Sequence, residues 1–159
     1  MQNSRILVAL VENKSGVLNR IASLFRRRRF NIESLTVGHS EQKDRSRMTI
    51  IVDESTNVDQ VFRQMYKIIE VCKIKRLNPD EAIMRNLALV KIKNTTATKK
   101  NLLKVLRKFH AKIIIENSKN LILEIVGEPE KLEQFFEEVK KFKILEISRT
   151  GTTSIATIR

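Results

Sequence analysis

Twice along its 159 residues this sequence runs through the same order of hydrophobic periodicities, and that repeat restricts the fold more than any other feature. The first pass opens with Ile6-Leu7-Val8-Ala9-Leu10-Val11, a continuous apolar run bounded by polar residues, which reads as a buried strand. Glu12 to Gly16 is a turn, and Ser15 is the expected N-cap of the helix that follows, because its hydroxyl can accept from a first-turn amide. Val17, Leu18, Ile21, Leu24 and Phe25 then recur at helical spacing as one apolar stripe. The helix is expected to end in Arg26-Arg27-Arg28-Arg29, cations that suit the negative end of the macrodipole. Residues 30–37 and 48–52 alternate apolar and polar on either side of a charged loop, the pattern of a hairpin. A second helix, capped by Asn57 or Ser55, places Val58, Val61, Phe62, Met65 and Tyr66 on one face. Val71, Ile74 and Leu77 close the pass as a strand.

Asn78-Pro79-Asp80 breaks the pattern, since proline cannot continue a regular element and restricts the residue before it. The order then returns. A strand spans residues 87–92, and Thr98 caps a helix carrying Leu102, Leu103, Val105, Leu106 and Phe109. Residues 112–116 and 121–126 form a hairpin, Pro129 starts a helix, and residues 144–148 make the last strand. Each pass reads β-α-β-β-α-β, the split ferredoxin-like arrangement. The expectation is an α+β chain of two ferredoxin-like domains, residues 1–78 and 79–159, with no element assigned to the tail from Thr152. A unit of this size has a thin core, so pairing of domains or of chains is expected.

Composition narrows the function classes. Cys72 is the single cysteine, so no disulfide can form within the chain, which suits a reducing cytoplasm. No apolar run approaches the roughly 18 residues a membrane helix needs, and the N-terminus lacks a signal-peptide cleavage region. A cytoplasmic protein without a membrane partner is expected. The net charge of +13 raises the question of nucleic acid. The excess is spread, however: residues 1–78 hold 15 basic and 8 acidic residues, and residues 79–159 hold 16 and 10. A merely basic surface, or an acidic protein partner, accounts for it as well, and no nucleic-acid partner is expected.

The same residues argue against catalysis. His39 and His110 fall in different units, and no histidines, cysteines or carboxylates stand at metal-ligand spacing. Glycines at 16, 38, 127 and 151 are too scattered for a phosphate loop. Glu133, Glu137 and Glu138 follow helical spacing and read as a solvated face. No catalytic and no metal-binding residue is assigned. The segment Asn13-Lys14-Ser15-Gly16-Val17-Leu18 is more informative. Amides at a helix N-terminus can hold a carboxylate, Gly16 leaves an approaching ligand unobstructed, and Asn13 and Asn31 each offer a donor and an acceptor. A cap, a turn glycine and two turn asparagines are the alternative reading of the same residues.

Taken together, Glu12-Asn13-Lys14-Ser15-Gly16-Val17-Leu18, then Phe30-Asn31-Ile32-Glu33-Ser34-Leu35-Thr36-Val37, then Ser46-Arg47-Met48-Thr49-Ile50, resemble the small subunit of acetolactate synthase. Leu89-Val90-Lys91-Ile92 and Ser148-Arg149-Thr150-Gly151 are similar to that family's C-terminal domain. The resemblance implies an N-terminal ACT domain over 1–78, a C-terminal ferredoxin-like regulatory domain over 79–159, and a homodimer formed through the ACT domains. It implies that a branched-chain amino acid, usually valine, binds between ACT domains and inhibits a separate catalytic subunit that the small subunit otherwise activates. Thiamine diphosphate, magnesium and FAD are expected on that catalytic partner and none of them on this chain. The ligand carboxylate would meet the amides of Gly16, Val17 and Leu18, in the loop that holds Ser15. Its ammonium would meet Asn13 and Asn31, with Ile32 as an apolar neighbour. The Arg26–Arg29 run is more basic than the family pattern. A free-standing ACT module acting on another enzyme or transporter, and a nucleic-acid-binding ferredoxin-like protein, are the competing classes.

Overall fold

A computed structural model describes residues 5–157, without the side chains of residues 96–98. Its contacts divide the chain into two compact units, one running to Ile83 and taking in the chain again from Thr152, the other Met84–Gly151. In the first unit, β1 (Ile6–Glu12), α1 (Val17–Arg28), β2 (Ile32–His39), β3 (Arg45–Val52), α2 (Val58–Met65) and β4 (Val71–Leu77) follow in order. They form an antiparallel sheet ordered β2-β3-β1-β4. Leu7, Ala9 and Val11 of β1 and Met48, Ile50 and Val52 of β3 point to one face, the period-two alternation of a half-covered strand. Ile21, Leu24 and Phe25 of α1 and Val61 and Met65 of α2 pack on that face.

The second unit repeats the plan. It contains most of β5 (Ala82–Lys93), then α3 (Thr96–Phe109), β6 (Lys112–Glu116), β7 (Asn120–Gly127), α4 (Pro129–Val139) and β8 (Ile144–Arg149). The strand order is β6-β7-β5-β8. Ala88, Val90, Ile92, Leu121, Leu123 and Ile125 meet Leu102, Phe109 and Phe135 from the helices. Phe109 and Phe135 meet edge to face at 5.6 Å, a geometry that the ring quadrupoles favour.

Three expectations need correction. Ser15 does not cap α1: the N-cap is Gly16, at φ 85°, and no side chain bonds to the first turn. The left-handed turn at Gly16 is what redirects the chain, and it leaves Ser15 one residue too early to cap. Of the two candidate caps of α2, Asn57 takes the position as expected, its side chain accepting from the Gln60 amide at 3.1 Å, while the Ser55 hydroxyl donates to Asp53. The tail carries a ninth strand, β9 (Thr153–Ala156), which pairs with β5. Bonds from Thr150 N to Leu87 O and from Thr157 N to Glu81 O bracket it. That pairing extends β5 upstream to Ala82, so the contacts divide the chain after Ile83 rather than at Asn78-Pro79, and residues from Thr152 count with the first unit. α3 begins at Thr96, and the cap assigned to Thr98 concerns a side chain outside the described residues.

Both first helices end alike. Arg29 and His110 stand at φ 56°, and the next residue donates back into the last turn, Phe30 N to Phe25 O and Ala111 N to Leu106 O. Glycine normally takes this left-handed position, and another L-residue there costs about 1 kcal/mol.

Candidate functional site

The β1–α1 loop is exposed from Asn13 to Gly16, and its backbone is tied down on two sides. Glu12 N donates to Glu70 O at 2.9 Å and Asn13 N to Asp44 O at 2.9 Å. The side-chain amide nitrogen of Asn13 lies 3.5 Å from Nδ1 of His39, at the end of β2. Glu12 sits beneath the loop, paired with Lys14 at 2.8 Å and Arg45 at 3.1 Å. Hydrogen bonds from those two cations hold its carboxyl below the usual range, and Glu12 in turn raises Lys14. Two cations thus compensate Glu12, which lowers its repulsion of an incoming carboxylate.

Gly16 opens the helix. Its carbonyl accepts from Arg20 N at 2.9 Å, and Val17 N makes a long 3.4 Å bond to Lys14 O. Among the described residues the amides of Gly16, Leu18 and Asn19 have no protein acceptor, the condition expected of a helix's first turn. A β-carbon on Gly16 would meet nothing within 4 Å, so the space in front of these amides is open. Val17 itself is buried in the core and can offer only its backbone. From Gly16 an open groove of about 590 Å³ runs along α1 past Asn19, Arg20, Ser23, Arg26 and Arg27.

Asn31 and Ile32 are not part of this cluster within one chain. β2 runs in the same direction as β1, because both are antiparallel to β3. Ile32 pairs with Val52, whereas His39 pairs with Ser46 and Glu12 with Arg45. The seven steps from Ile32 to His39 span roughly 23 Å of strand. Asn31 is exposed, its carbonyl accepting from Asp53 N at 3.4 Å. Asp53 is held below its usual range by the Thr56 and Ser55 hydroxyls and, less strongly, by the Asn31 side chain. Ile32 is half-buried against the core. The structure therefore gathers Asn13, Ser15, Gly16, Val17 and Leu18 at one end of the sheet and Asn31 and Ile32 at the other. His39 and Asn19 join the first group and were not assigned from the sequence. Only the contact across the sheet end reveals His39, whereas the free Asn19 amide follows from any helix starting at Val17.

β2 is an edge strand, as is β4. β4 bears Lys73, Lys75 and Arg76, the charges that keep an edge from pairing, while β2 contains no lysine or arginine. On the second unit, an open groove of about 530 Å³ is lined by Lys104, Lys108, Glu138, Lys141, Phe142 and Lys143 among others. Glu138 bridges Lys108 at 3.0 Å and Lys141 at 2.8 Å, which hold its carboxyl down at about 2. Among the described residues no group of three or more His, Cys, Asp or Glu could hold a metal ion, and no helix is long and apolar enough to cross a membrane.

Residues 7–73 match the family described as the AHAS small subunit-like ACT domain, and residues 85–158 match the small subunit of acetolactate synthase. A Mycolicibacterium smegmatis acetolactate synthase small subunit is 41% identical over 151 residues, covering 94% of this chain and 89% of that one. The Bacillus subtilis acetolactate synthase small subunit is 37% identical over 154 residues, covering 96% and 90%. The crystal structure of the Thermotoga maritima acetolactate synthase small subunit superimposes with a TM-score of 0.88 at 34% identity, covering 95% of each chain.

Proposed function

The chain belongs to the family of acetolactate synthase small subunits, and on that premise we propose that it is the non-catalytic regulator of a separate catalytic subunit, which it activates when free and restrains when a branched-chain amino acid, foremost valine, is bound. In this reading the subunits work in the cytoplasm. Thiamine diphosphate, magnesium and FAD reside on the catalytic subunit, and two pyruvates, or pyruvate and 2-oxobutyrate, react there.

The observation that carries the reading is the split site on an edge strand that has no lysine or arginine. If two copies pair their β2 strands antiparallel across a two-fold axis midway along Ile32–His39, the Asn31 end of one strand meets the His39 end of the other. Asn13, Gly16 and Leu18 of one protomer then face Asn31 and Ile32 of its partner. The free amides at the start of α1 receive the ligand carboxylate, and the asparagine side-chain oxygens receive its ammonium. A ligand held by both protomers reads the geometry of the dimer. It inhibits to the extent that it binds the inhibited assembly more tightly than the active one.

Reconstitution tests this directly. The pure chain with pyruvate and the three cofactors should form no acetolactate, should raise the activity of its cognate catalytic subunit, and should make that activity fall with valine. Calorimetry with valine, leucine and isoleucine ranks the effectors. Turnover by the pure chain, or a catalytic subunit indifferent to it, overturns the reading.

A further inference from the structure

We infer that the exposed basic face of α1 is the surface on which the catalytic subunit docks, through an acidic patch of that partner; this rests on the regulatory reading above. Three guanidinium groups at the end of α1, those of Arg26, Arg27 and Arg29, have no carboxylate partner among the described residues. Six acids of the same unit pair with other cations. Glu33 and Glu54 pair with Arg5, Glu41 with Arg47, Asp59 with Arg76, Glu70 with Arg20, and Glu12 with Lys14 and Arg45. Arg28 alone of the run reaches a neighbour, Gln64 Oε1 at 3.5 Å.

The negative end of the α1 macrodipole favours cations here, but an exposed helix end gains little from it and does not require four. Four adjacent cations repel one another, and Arg29 holds a left-handed position that glycine would fill without strain. Yet the surface around them has the make-up of a protein interface. Arg26 and Arg27 line the open groove with Ser23, Arg20 and Asn19, and exposed Leu18 and Ala22 lie on the same helix. Arginine is enriched at protein interfaces, and exposed Leu18 gives these arginines an apolar neighbour on the same helix. A nucleic acid would be expected to find stacking aromatics, but Phe25 is buried and Phe30 is half-buried, edge-on against it. The complement to an uncompensated arginine cluster is a carboxylate-rich surface.

The placement also supplies a route for regulation. α1 has 12 residues and is about 18 Å long. The loop proposed to hold the effector lies at its first turn, and the arginines at its last. A ligand that shifts this helix shifts the docking face with it.

The test is the affinity of the full-length chain for its purified cognate catalytic subunit, measured by interferometry at several salt concentrations. Arg26→Glu with Arg27→Glu should weaken association about a hundredfold at low salt, the scale of lost electrostatic steering. Arg26→Lys with Arg27→Lys should stay within a few-fold. Thermal unfolding and self-association report whether the variants fold, and Arg26→Gln with Arg27→Gln replaces the reversal if that one does not. Wild-type affinity should fall steeply with salt. Wild-type binding that ignores salt, or a folded reversal variant that binds within threefold of wild type, overturns the docking inference alone. Saturable nucleic-acid binding lost in a reversal variant that still binds the catalytic subunit does the same. If the wild-type chain never binds the catalytic subunit, the functional reading falls and this inference with it.

Discussion

Gly16→Asp separates the fold from the effector site most sharply. Gly16 stands at φ 85° with open space where a side chain would go, so the cost is conformational rather than steric. A non-glycine residue in the left-handed region costs about 1 kcal/mol, and aspartate is among the residues that tolerate it best. A carboxylate beside the first turn of α1 returns about 0.3–1 kcal/mol through the macrodipole. Stability should therefore change by less than about 1 kcal/mol, as read by urea unfolding. Ligand binding behaves differently. Two carboxylates about 4 Å apart repel by about 1 kcal/mol in water and about 4 kcal/mol at an effective dielectric of 20. Because the loop is exposed, the lower part of that range applies, and valine affinity should drop about tenfold or more. Gly16→Ala shares the strain without the charge, so it should retain most of the affinity. Calorimetry with valine, together with valine inhibition of the reconstituted enzyme, makes the measurement. A folded Gly16→Asp chain that still confers inhibition at the original valine concentration would refute the placement of the site.

Other perturbations address the remaining parts. Asn31→Ala should weaken valine binding by about 1–3 kcal/mol through a lost polar partner, while activation of the catalytic subunit persists; equal valine affinity would remove Asn31 from the site. Val37→Lys puts a charge on the β2 edge, where Val37 is 43% exposed, and should shift the chain from dimer toward monomer in sedimentation; an unchanged dimer would place the two-fold contact elsewhere. Glu138 is depressed from 4.5 to about 2, so its contribution to stability is complete above about 4.5 and is lost as pH falls toward about 2. Acid unfolding of Glu138→Gln should accordingly be less steep across that window, and a slope identical to wild type would mean that Lys108 and Lys141 do not hold the carboxylate in solution.

The sequence alone was sufficient for the periodic elements and for the exposed turn that opens α1. Strands such as β1 and helices such as α1 announce themselves because burial of one face imposes its period on adjacent residues. The loop from Asn13 to Leu18 was legible for the same reason, since a glycine before an apolar helical stripe marks free amides at a helix start. Caps were harder, because Ser15 and Gly16 are adjacent and only the backbone angle decides which one turns the chain. Tertiary structure alone decided what depends on distant pairing. β9 is four residues with weak alternation, and it becomes a strand only because the start of β5 offers it an edge. Ser34 Oγ accepts from Thr152 N at 2.7 Å across 118 residues, a contact no local pattern encodes. Asn13 and Asn31 are assigned to one ligand from the sequence, and register puts them at opposite ends of one sheet, because β1 and β2 run the same way beside β3. Side-chain type follows from local burial, which a sequence records; strand order and register follow from which edges meet, which a sequence does not.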